Sequence, residues 1–394
     1  MFELTANTET GARLVLLAES LADELATRAA LHDREASFPH ASVDALQRAG
    51  YFTAPIPAEH GGLGVTSVHD VVVASSRLAR GDASVAIGVN MHLVILLNIV
   101  RRWQAAVAAG DERRATAFGA SLRAIARDGV IIAAAISELG QDLTRPRTTA
   151  TPTPTGWRID GRKSFCTMSP AATVLYASVT FVDDDGVERY GYAQVPTDAA
   201  GVDIEGDWDA LGMRASGSHS VTFAGVEIPR SALLRGFVAG DGDAYMERNL
   251  VAGLFHAAAS LGIAESAASA AAGALAARGE PDGHARTLLA QNVVELGACR
   301  ATLSRAAALV DDSDEHFVAL FAQTQAAKTF VNDTATRIVD RALTLSGGAG
   351  YLNGHPLARA YRDVRAGSFM HPLGANRAYD LLGDAALGRE LVVH

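Results

Sequence analysis

Two histidines in this 394-residue sequence are candidates for acid–base chemistry. His371 follows a glycine-rich turn, Gly347 to Tyr351, and an Arg362-Asp363 pair, and it immediately precedes a proline. His92 lies in the most apolar stretch of the chain. An imidazole titrates near neutral pH, so it can donate or accept a proton during a reaction. A hydrogen-bonded core histidine at position 92 and a turn residue at position 371 are equally compatible with the sequence, which leaves both interpretations open.

Composition limits the class of protein. The net charge of −10 argues against a nucleic-acid-binding surface. Two cysteines, Cys166 and Cys299, are too few for a disulfide framework, which favours a reducing cytoplasm. The first ten residues do not resemble a secretory leader, and no His or Cys spacing is typical of a metal site. The apolar stretch Val85 to Val100 is shorter than the roughly 20 residues that span a bilayer, so we expect a buried helix and no membrane anchor.

Three zones of different pattern follow one another along the chain. In residues 1–129, leucines at three- and four-residue spacing from Leu14 to Leu25 predict an amphipathic helix, and more helices follow. Residues 130–235 hold short apolar runs, such as 174–182, separated by glycine and proline, with a turn expected at Gly161. This pattern is typical of a small antiparallel barrel or sandwich. Residues 236–394 return to alanine-rich helical patterns. The sequence therefore predicts an α+β protein.

Six motifs resemble those of the acyl-CoA dehydrogenase superfamily, and they occur in that family's order over nearly the whole chain. Each is common alone, but six in order are hard to obtain by chance. They are Pro57–Gly64, Ser137–Asp142, Gly161–Thr167, Trp208–Ser216, Val226–Pro229 and Gly347–Tyr351 with the Arg-Asp pair. The resemblance implies an N-terminal α-helical domain, a middle antiparallel β-barrel or sandwich and a C-terminal four-helix bundle. It also implies a homotetramer with flavin sites between subunits.

The resemblance implies a flavin cofactor, FAD by analogy with the dehydrogenases. Phe165 would form an apolar wall for the isoalloxazine ring, and Thr167 would offer a hydroxyl at its polar edge. Arg278 resembles an arginine that reaches the diphosphate across a subunit boundary. The family's phenylalanine is missing after Arg278, so FMN remains open. The expected cofactor-binding residues are Ser137, Phe165, Cys166, Thr167, Arg278, Gln291, Gly347, Gly348 and Gly350.

The catalytic carboxylate of the dehydrogenases is missing from both places where this superfamily carries it. The C-terminal position holds His371, and the position on the first bundle helix holds Ala252, with Gly253 beside it. Removal of a substrate α-proton needs a base within roughly 3 Å. Glu247 could serve only if its helix shifted. The chain therefore lacks the proton acceptor that the dehydrogenases of this family use.

The chain resembles more closely the monooxygenases of this fold, which use O2 and reduced flavin from a separate reductase. Those enzymes carry histidines at places comparable with His92 and His371, and an Arg-Ala-Tyr run comparable with residues 377–379. The reaction needs a dry pocket and a proton donor, roles that we assign to the two histidines. Ser218 and His219 are expected to contact a small organic substrate, which would be hydroxylated or N-oxygenated.

Two other functions fit the same residues. An acyl-CoA or acyl-carrier dehydrogenase with a relocated base would have its flavin bleached by a thioester in the absence of O2. A non-catalytic flavin-binding homologue would keep the fold and yield only peroxide from reduced flavin. No single motif reports which substrate is bound.

Overall fold

The first zone is helical, as the leucine spacing predicts. The computed structural model describes residues 3–140, 142–313 and 315–393. Leu14, Leu21 and Leu25 are buried along one face of the first helix. The apolar stretch Val85 to Val100 lies within the fourth helix, which Asp82 caps. The helices are α1 (Glu9–Glu35), α2 (His40–Arg48), α3 (Val68–Gly81), α4 (Ala83–Ala108) and α5 (Glu112–Asp128).

The middle zone is one eight-stranded sheet. Its strands are β1 (Ile132–Ala135), β2 (Thr149–Pro152), β3 (Gly156–Cys166), β4 (Val174–Val182), β5 (Glu188–Pro196), β6 (Val202–Ile204), β7 (His219–Pro229) and β8 (Leu233–Val238). They lie in the order β6-β7-β3-β2-β4-β5-β8, and β1 pairs with β4. The β1–β4 and β2–β4 pairs are parallel, so the sheet is mixed and not wholly antiparallel as expected. The chain enters β1 from a helix and not from a hairpin, so nothing forces an antiparallel partner.

Gly161 was expected in a turn, but it lies inside β3. Its φ of 151° coincides with a register shift against β7 between Ile159 and Gly161. A Cβ at this position would stand 2.5 Å from the Thr148 hydroxyl oxygen. The glycine therefore produces a bulge, which bends the strand without ending it. Because β3 continues to Cys166, Phe165 lies near the end of this strand.

The third zone is a helical bundle. Its helices are α6 (Gly242–Arg248), α7 (Ala252–Arg278), α8 (Gly283–Asp312), α9 (Phe317–Ser346), α10 (Pro356–Val364) and α11 (Ala375–Ala386). The long helices α7, α8 and α9 pack together, while α10 and α11 lie against α9. Strand β8 runs to Val238, beyond residue 235. The domain boundaries at 129 and 235 remain predictions.

Two helices, α4 and α7, are long and apolar enough to cross a bilayer by length and composition. Their most apolar windows are 89% and 56% buried inside the protein, as expected for core helices. Among the described residues, no group of three or more His, Cys, Asp or Glu side chains is placed to hold a metal ion. The helical and sheet cores meet around a cavity, which is the candidate site.

Candidate active site

A cavity of about 450 Å³ lies where the three zones meet. Its walls come from α4, the ends of β1 and β3, the segment 208–218, α7 and the segment 362–371. Most of the lining side chains are apolar, among them Ile87, Met91, Ala134 and Met370. A concave apolar cavity with a few polar groups is typical of a small-molecule site.

Phe165 and Trp208 form an aromatic wall of this cavity. Their rings meet edge to face with centroids 5.9 Å apart. Phe165 is 58% exposed, so the core of the protein does not use its apolar face. Its φ of 57° is uncommon for a residue with a large side chain, and backbone strain of this kind clusters at ligand sites. The wall fits a planar apolar ring such as isoalloxazine.

Three hydroxyls form a chain beside this wall. The Ser218 hydroxyl donates to Thr167 Oγ1 at 2.9 Å, and the Ser216 and Ser218 hydroxyl oxygens are 2.7 Å apart. All three residues line the cavity, and the roles expected for Thr167 and Ser218 stay predictions. Cys166 instead lies in the core of the sheet, where burial raises the pKa of its thiol to about 12. It does not line the cavity because its side chain lies in that core.

Ser137 lines the cavity from an anchored loop. The main-chain N–H of Ser164 donates to the Ser137 carbonyl at 2.8 Å. The next residue, Glu138, accepts from the buried ammonium of Lys163 at 2.5 Å. Burial lowers the pKa of Lys163 to about 8, and the carboxylate of Glu138 opposes that shift. Gln141, in the same predicted flavin loop, lies outside the described residues.

The Arg362-Asp363 pair holds the cavity wall in place. Arg362 donates to both carboxylate oxygens of Asp33, at 2.8 and 2.5 Å. Asp363 is buried and accepts from the main-chain N–H of Met213 at 2.6 Å, while burial raises its pKa to about 7. A Cβ on Gly212 would stand 2.2 Å from the Arg362 carbonyl oxygen, so only glycine allows this approach. Arg362 thus joins α10 to α1, and Asp363 joins α10 to the segment 208–218.

His371 lines the cavity, as expected, but it is not an acid at neutral pH. Burial, with the charge of Lys328, lowers the pKa of His371 to about 3. Its Nε2 lies 3.0 Å from Asn249 Oδ1, and the Asn249 amide nitrogen donates to the Tyr245 carbonyl. This assignment makes Nε2 the donor and leaves Nδ1 as an acceptor. The expectation of an imidazole that titrates near neutral pH is corrected accordingly.

His92 lies outside the cavity. Its Nε2 donates to the Phe52 carbonyl at 3.0 Å, and its Nδ1 accepts from the Ile132 main-chain N–H at 3.0 Å. The side chain is fully buried, and burial lowers the pKa of His92 to about 4. The preceding residue, Met91, lines the cavity instead. We therefore reassign His92 as the group that joins α4 to β1, which the variant described below tests.

His219 supports the aromatic wall from behind. Its Nδ1 accepts from the Trp208 main-chain N–H at 3.0 Å. Burial lowers the pKa of His219, and the carboxylate of Asp207 opposes that shift. His219 is absent from the lining of the cavity among the described residues. Its ring is instead hydrogen-bonded to the main chain of Trp208.

The residues expected on the adenine side lie away from the cavity within one chain. Arg278 donates to the Ser346 carbonyl at 3.1 Å, at the end of α9. Gly347 and Gly348 are open to solvent, since a Cβ on either would meet nothing within 4 Å. Gly350 is packed against Ser346, and Gln291 is exposed on α8. None of these residues is among the described residues that line the cavity.

A second cavity, of about 480 Å³, shares Ser137, Phe369 and His371 with the first. It also reaches Asn376 and Arg377 in the first turn of α11. Main-chain N–H groups at a helix start and a guanidinium are the groups that bind phosphate. An apolar cavity beside groups of this kind fits a flavin.

Among the described residues that line the main cavity, none carries a carboxylate. Glu247 is exposed on α6 and is not in the lining. The lining does contain His256, to which the sequence assigned no role. His256 is one helical turn after Ala252, the position that hosts the base in some members of the fold. That spacing was the signal that could have identified it.

Comparison with known proteins agrees with this geometry. Family models for the acyl-CoA dehydrogenase N-terminal, middle and C-terminal domains match residues 15–105, 133–226 and 240–377. The L-evernosamine nitrososynthase of Micromonospora sp. is 36% identical over 97% of this chain and 91% of its own length.

Two solved structures are similar over nearly their whole length. KijD3 in complex with FMN and dTDP-3-amino-2,3,6-trideoxy-4-keto-3-methyl-D-glucose has a TM-score of 0.90 and 34% identity, covering 98% of this chain and 96% of that one. FMN-bound TdsC, a dibenzothiophene monooxygenase from Paenibacillus sp. A11-2, has a TM-score of 0.85 and 25% identity, covering 97% and 98%.

Proposed function

Because the chain belongs to the acyl-CoA dehydrogenase superfamily and is a flavin-dependent monooxygenase of that fold, we propose that its substrate is a nucleotide-linked amino sugar, which it oxygenates on nitrogen. The observation that carries this proposal is a flavin-sized cavity lined by neutral imidazoles and by no carboxylate among the described residues. The names of the similar nitrososynthase and of the sugar nucleotide bound to KijD3 support the choice of an amine.

The reaction balances with one O2 and one reduced flavin. Reduced flavin supplies two electrons and two protons when it is bound. One oxygen atom forms a bond to nitrogen and converts R–NH2 to R–NHOH, and the other leaves as water. A second turnover with another O2 and another reduced flavin removes two hydrogens from the hydroxylamine, which gives the nitroso compound and two molecules of water.

The residues of the cavity have separate tasks in this reaction. Phe165 and Trp208 cover the ring and exclude water from the reacting face. The hydroxyls of Thr167 and Ser218 offer hydrogen bonds to the polar edge of the ring. His371 offers a neutral acceptor at Nδ1 toward the substrate amine. An apolar cavity also favours the neutral amine, which has the lone pair that the reaction needs.

The identity of the flavin is part of the proposal. The resemblance to dehydrogenases points to FAD, but we propose FMN as the cofactor that is used. Arg278 is bound to its own chain, the phenylalanine that follows it in the family is missing, and two similar structures contain FMN. Equilibrium titration of the flavin-free chain with each flavin tests this, because FMN should bind at least as tightly as FAD.

The remaining expectations concern partners. We propose a separate flavin reductase, a homotetramer and a cytoplasmic location. Exposed apolar residues such as Val294 and Tyr351, on α8 and after α9, support association through the bundle. Sedimentation of the flavin-loaded chain measures the oligomeric state.

The activity is tested with the chain, FMN, NADH, a flavin reductase and a dTDP-linked 3-amino sugar. We expect an oxygenated product whose added oxygen comes from isotopically labelled O2. Bleaching of bound flavin by an acyl-CoA thioester under anaerobic conditions would instead show a dehydrogenase. Formation of peroxide alone across amino sugars and other amines would show a homologue without a catalytic role.

A further inference from the structure

His256 on α7 is a buried polar side chain with no partner. It is 3% exposed, and within the described residues neither ring nitrogen has a hydrogen-bond partner. Buried polar groups are nearly always hydrogen-bonded, because an unpaired group costs about 1–3 kcal/mol. His256 lines the main cavity together with His371 and Met370. A ligand in the cavity can therefore supply the bond that the protein does not.

Both imidazoles of this wall are neutral at physiological pH. Burial, with the nearby charge of Lys328, lowers the pKa of His256 well below its usual value. A neutral imidazole has one N–H and one bare nitrogen. At His371 the N–H is used by Asn249, which leaves the bare nitrogen. At His256 neither nitrogen is used, so it can also accept a hydrogen bond.

We propose that His256 and His371 together accept the two N–H bonds of the substrate's primary amine, so that the nitrogen lone pair is left for oxygen transfer. The inference rests on the proposed function, since it needs an amine as the substrate. It goes further by assigning a residue of α7 to substrate recognition and by requiring a primary amine. An ammonium ion would present three N–H bonds to two acceptors and would have no lone pair to oxygenate.

The test compares ligands as well as variants. The dissociation constant is measured by calorimetry on the flavin-loaded chain for a dTDP-linked primary amino sugar, its N-methyl and N,N-dimethyl derivatives, and dTDP-glucose, which has no amine. The variants are His256→Phe, which removes both nitrogens, and His256→Gln, which keeps an amide. Gln325→Leu is the matched control, because Gln325 is equally buried and unpartnered on the facing helix α9 but does not line the cavity.

We expect the wild-type chain to bind the primary amine roughly 30-fold more tightly than the dimethylamine, since two hydrogen bonds are lost and each is worth about 1 kcal/mol in a buried site. His256→Phe should lose one of the two hydrogen bonds, which lowers the preference to roughly fivefold with unchanged binding of dTDP-glucose. His256→Gln should keep more of the preference, and Gln325→Leu should keep all of it.

Three results would overturn the inference. They are an unchanged preference in His256→Phe, an equal loss for the amino sugar and dTDP-glucose, and a wild-type chain that binds primary and dimethyl amines alike. If His256→Phe does not fold, the same ligand series on His256→Leu, which also removes both nitrogens, decides. A wild-type chain that neither binds nor oxygenates any amino sugar would remove the proposed function itself, and a loss of amine recognition limited to the variants would leave it standing.

Discussion

The His92 contact and the C-terminal wall use histidine in opposite ways. The His92 contact consists of His92, the Phe52 carbonyl and the Ile132 N–H, and it satisfies both ring nitrogens with main chain. The C-terminal wall consists of His256, Lys328 and the segment 370–373, and it leaves the nitrogens of His256 unbonded. A buried histidine whose bonds are all internal joins elements of the fold. One with a spare nitrogen toward a cavity is available to a ligand.

The two buried lysines show the same difference. Lys163 is paired with the carboxylate of Glu138 and fixes the loop of Ser137. Lys328 has no carboxylate partner among the described residues, and its ammonium donates to the carbonyls of Met370 and Leu373, at 2.6 Å for the latter. It thereby holds both sides of His371. Each lysine anchors one wall of the cavity, but only Lys328 does so without a compensating charge.

The largest expected effect is on stability, for His92→Leu. The substitution leaves the Phe52 carbonyl and the Ile132 N–H buried without partners, each at a cost of about 1–3 kcal/mol. We expect the free energy of unfolding, from urea denaturation, to fall by about 2–6 kcal/mol. Turnover per folded molecule should stay within about threefold, because His92 is outside the cavity. His284→Ala, exposed on α8, is the control. If the variant had normal stability but consumed O2 without forming product, His92 would have a role in the oxygen pocket.

The second effect is on chemistry, for His371→Ala. We expect product formation to fall by about 100-fold, the cost of a misplaced reactant, because His371 no longer orients the substrate amine. Peroxide should rise in its place while the free energy of unfolding changes by about 1 kcal/mol or less, since one hydrogen bond to Asn249 is lost. The ratio of product to O2 consumed measures the coupling. Unchanged coupling would remove the role assigned to this imidazole.

Sequence patterns predicted the fold because they are local. Leucine spacing identified α1, and the apolar run 174–182 coincides with β4. The parallel pairing of β1 with β4 could not be predicted, since it depends on where the end of α5 places the start of β1 in the folded protein. The bulge at Gly161 was mistaken for a turn because glycine favours both.

Only some of the site residues that the sequence predicts line the cavity. Ser137, Phe165, Thr167, Ser218 and His371 all line it. For His92 and His256 the deciding fact is which side of a helix meets the cavity, and that depends on packing between α4, α7 and the segment 362–371. Sequence alone shows two histidines in apolar helices and gives no means of separating them.

The third effect is on the pH dependence of stability, for Lys328→Met. Burial lowers the pKa of Lys328 from its usual 10.5 to about 7. Between pH 7 and 10.5 the unfolded chain therefore binds more protons than the folded chain, so this group makes the protein more stable as pH rises. We expect the wild type to gain about 1 kcal/mol over the variant for each pH unit within this window, since one pKa unit corresponds to about 1.4 kcal/mol. If the free energy of unfolding changed with pH in the same way for both proteins, Lys328 would have an ordinary pKa.

The smallest effect is expected for Ser218→Ala. The hydroxyl of Ser218 donates to Thr167 and lies 2.7 Å from the hydroxyl of Ser216. Its loss removes one donor from the polar edge of the ring site, but Ser216 is close enough for a small shift to replace it. FMN affinity, from fluorescence titration, should therefore fall by about three- to tenfold, the worth of about one hydrogen bond. Ser121→Ala, exposed on α5, should change nothing. Equal affinities for both variants would mean that the hydroxyl chain stabilises the segment 208–218 and does not contact the flavin.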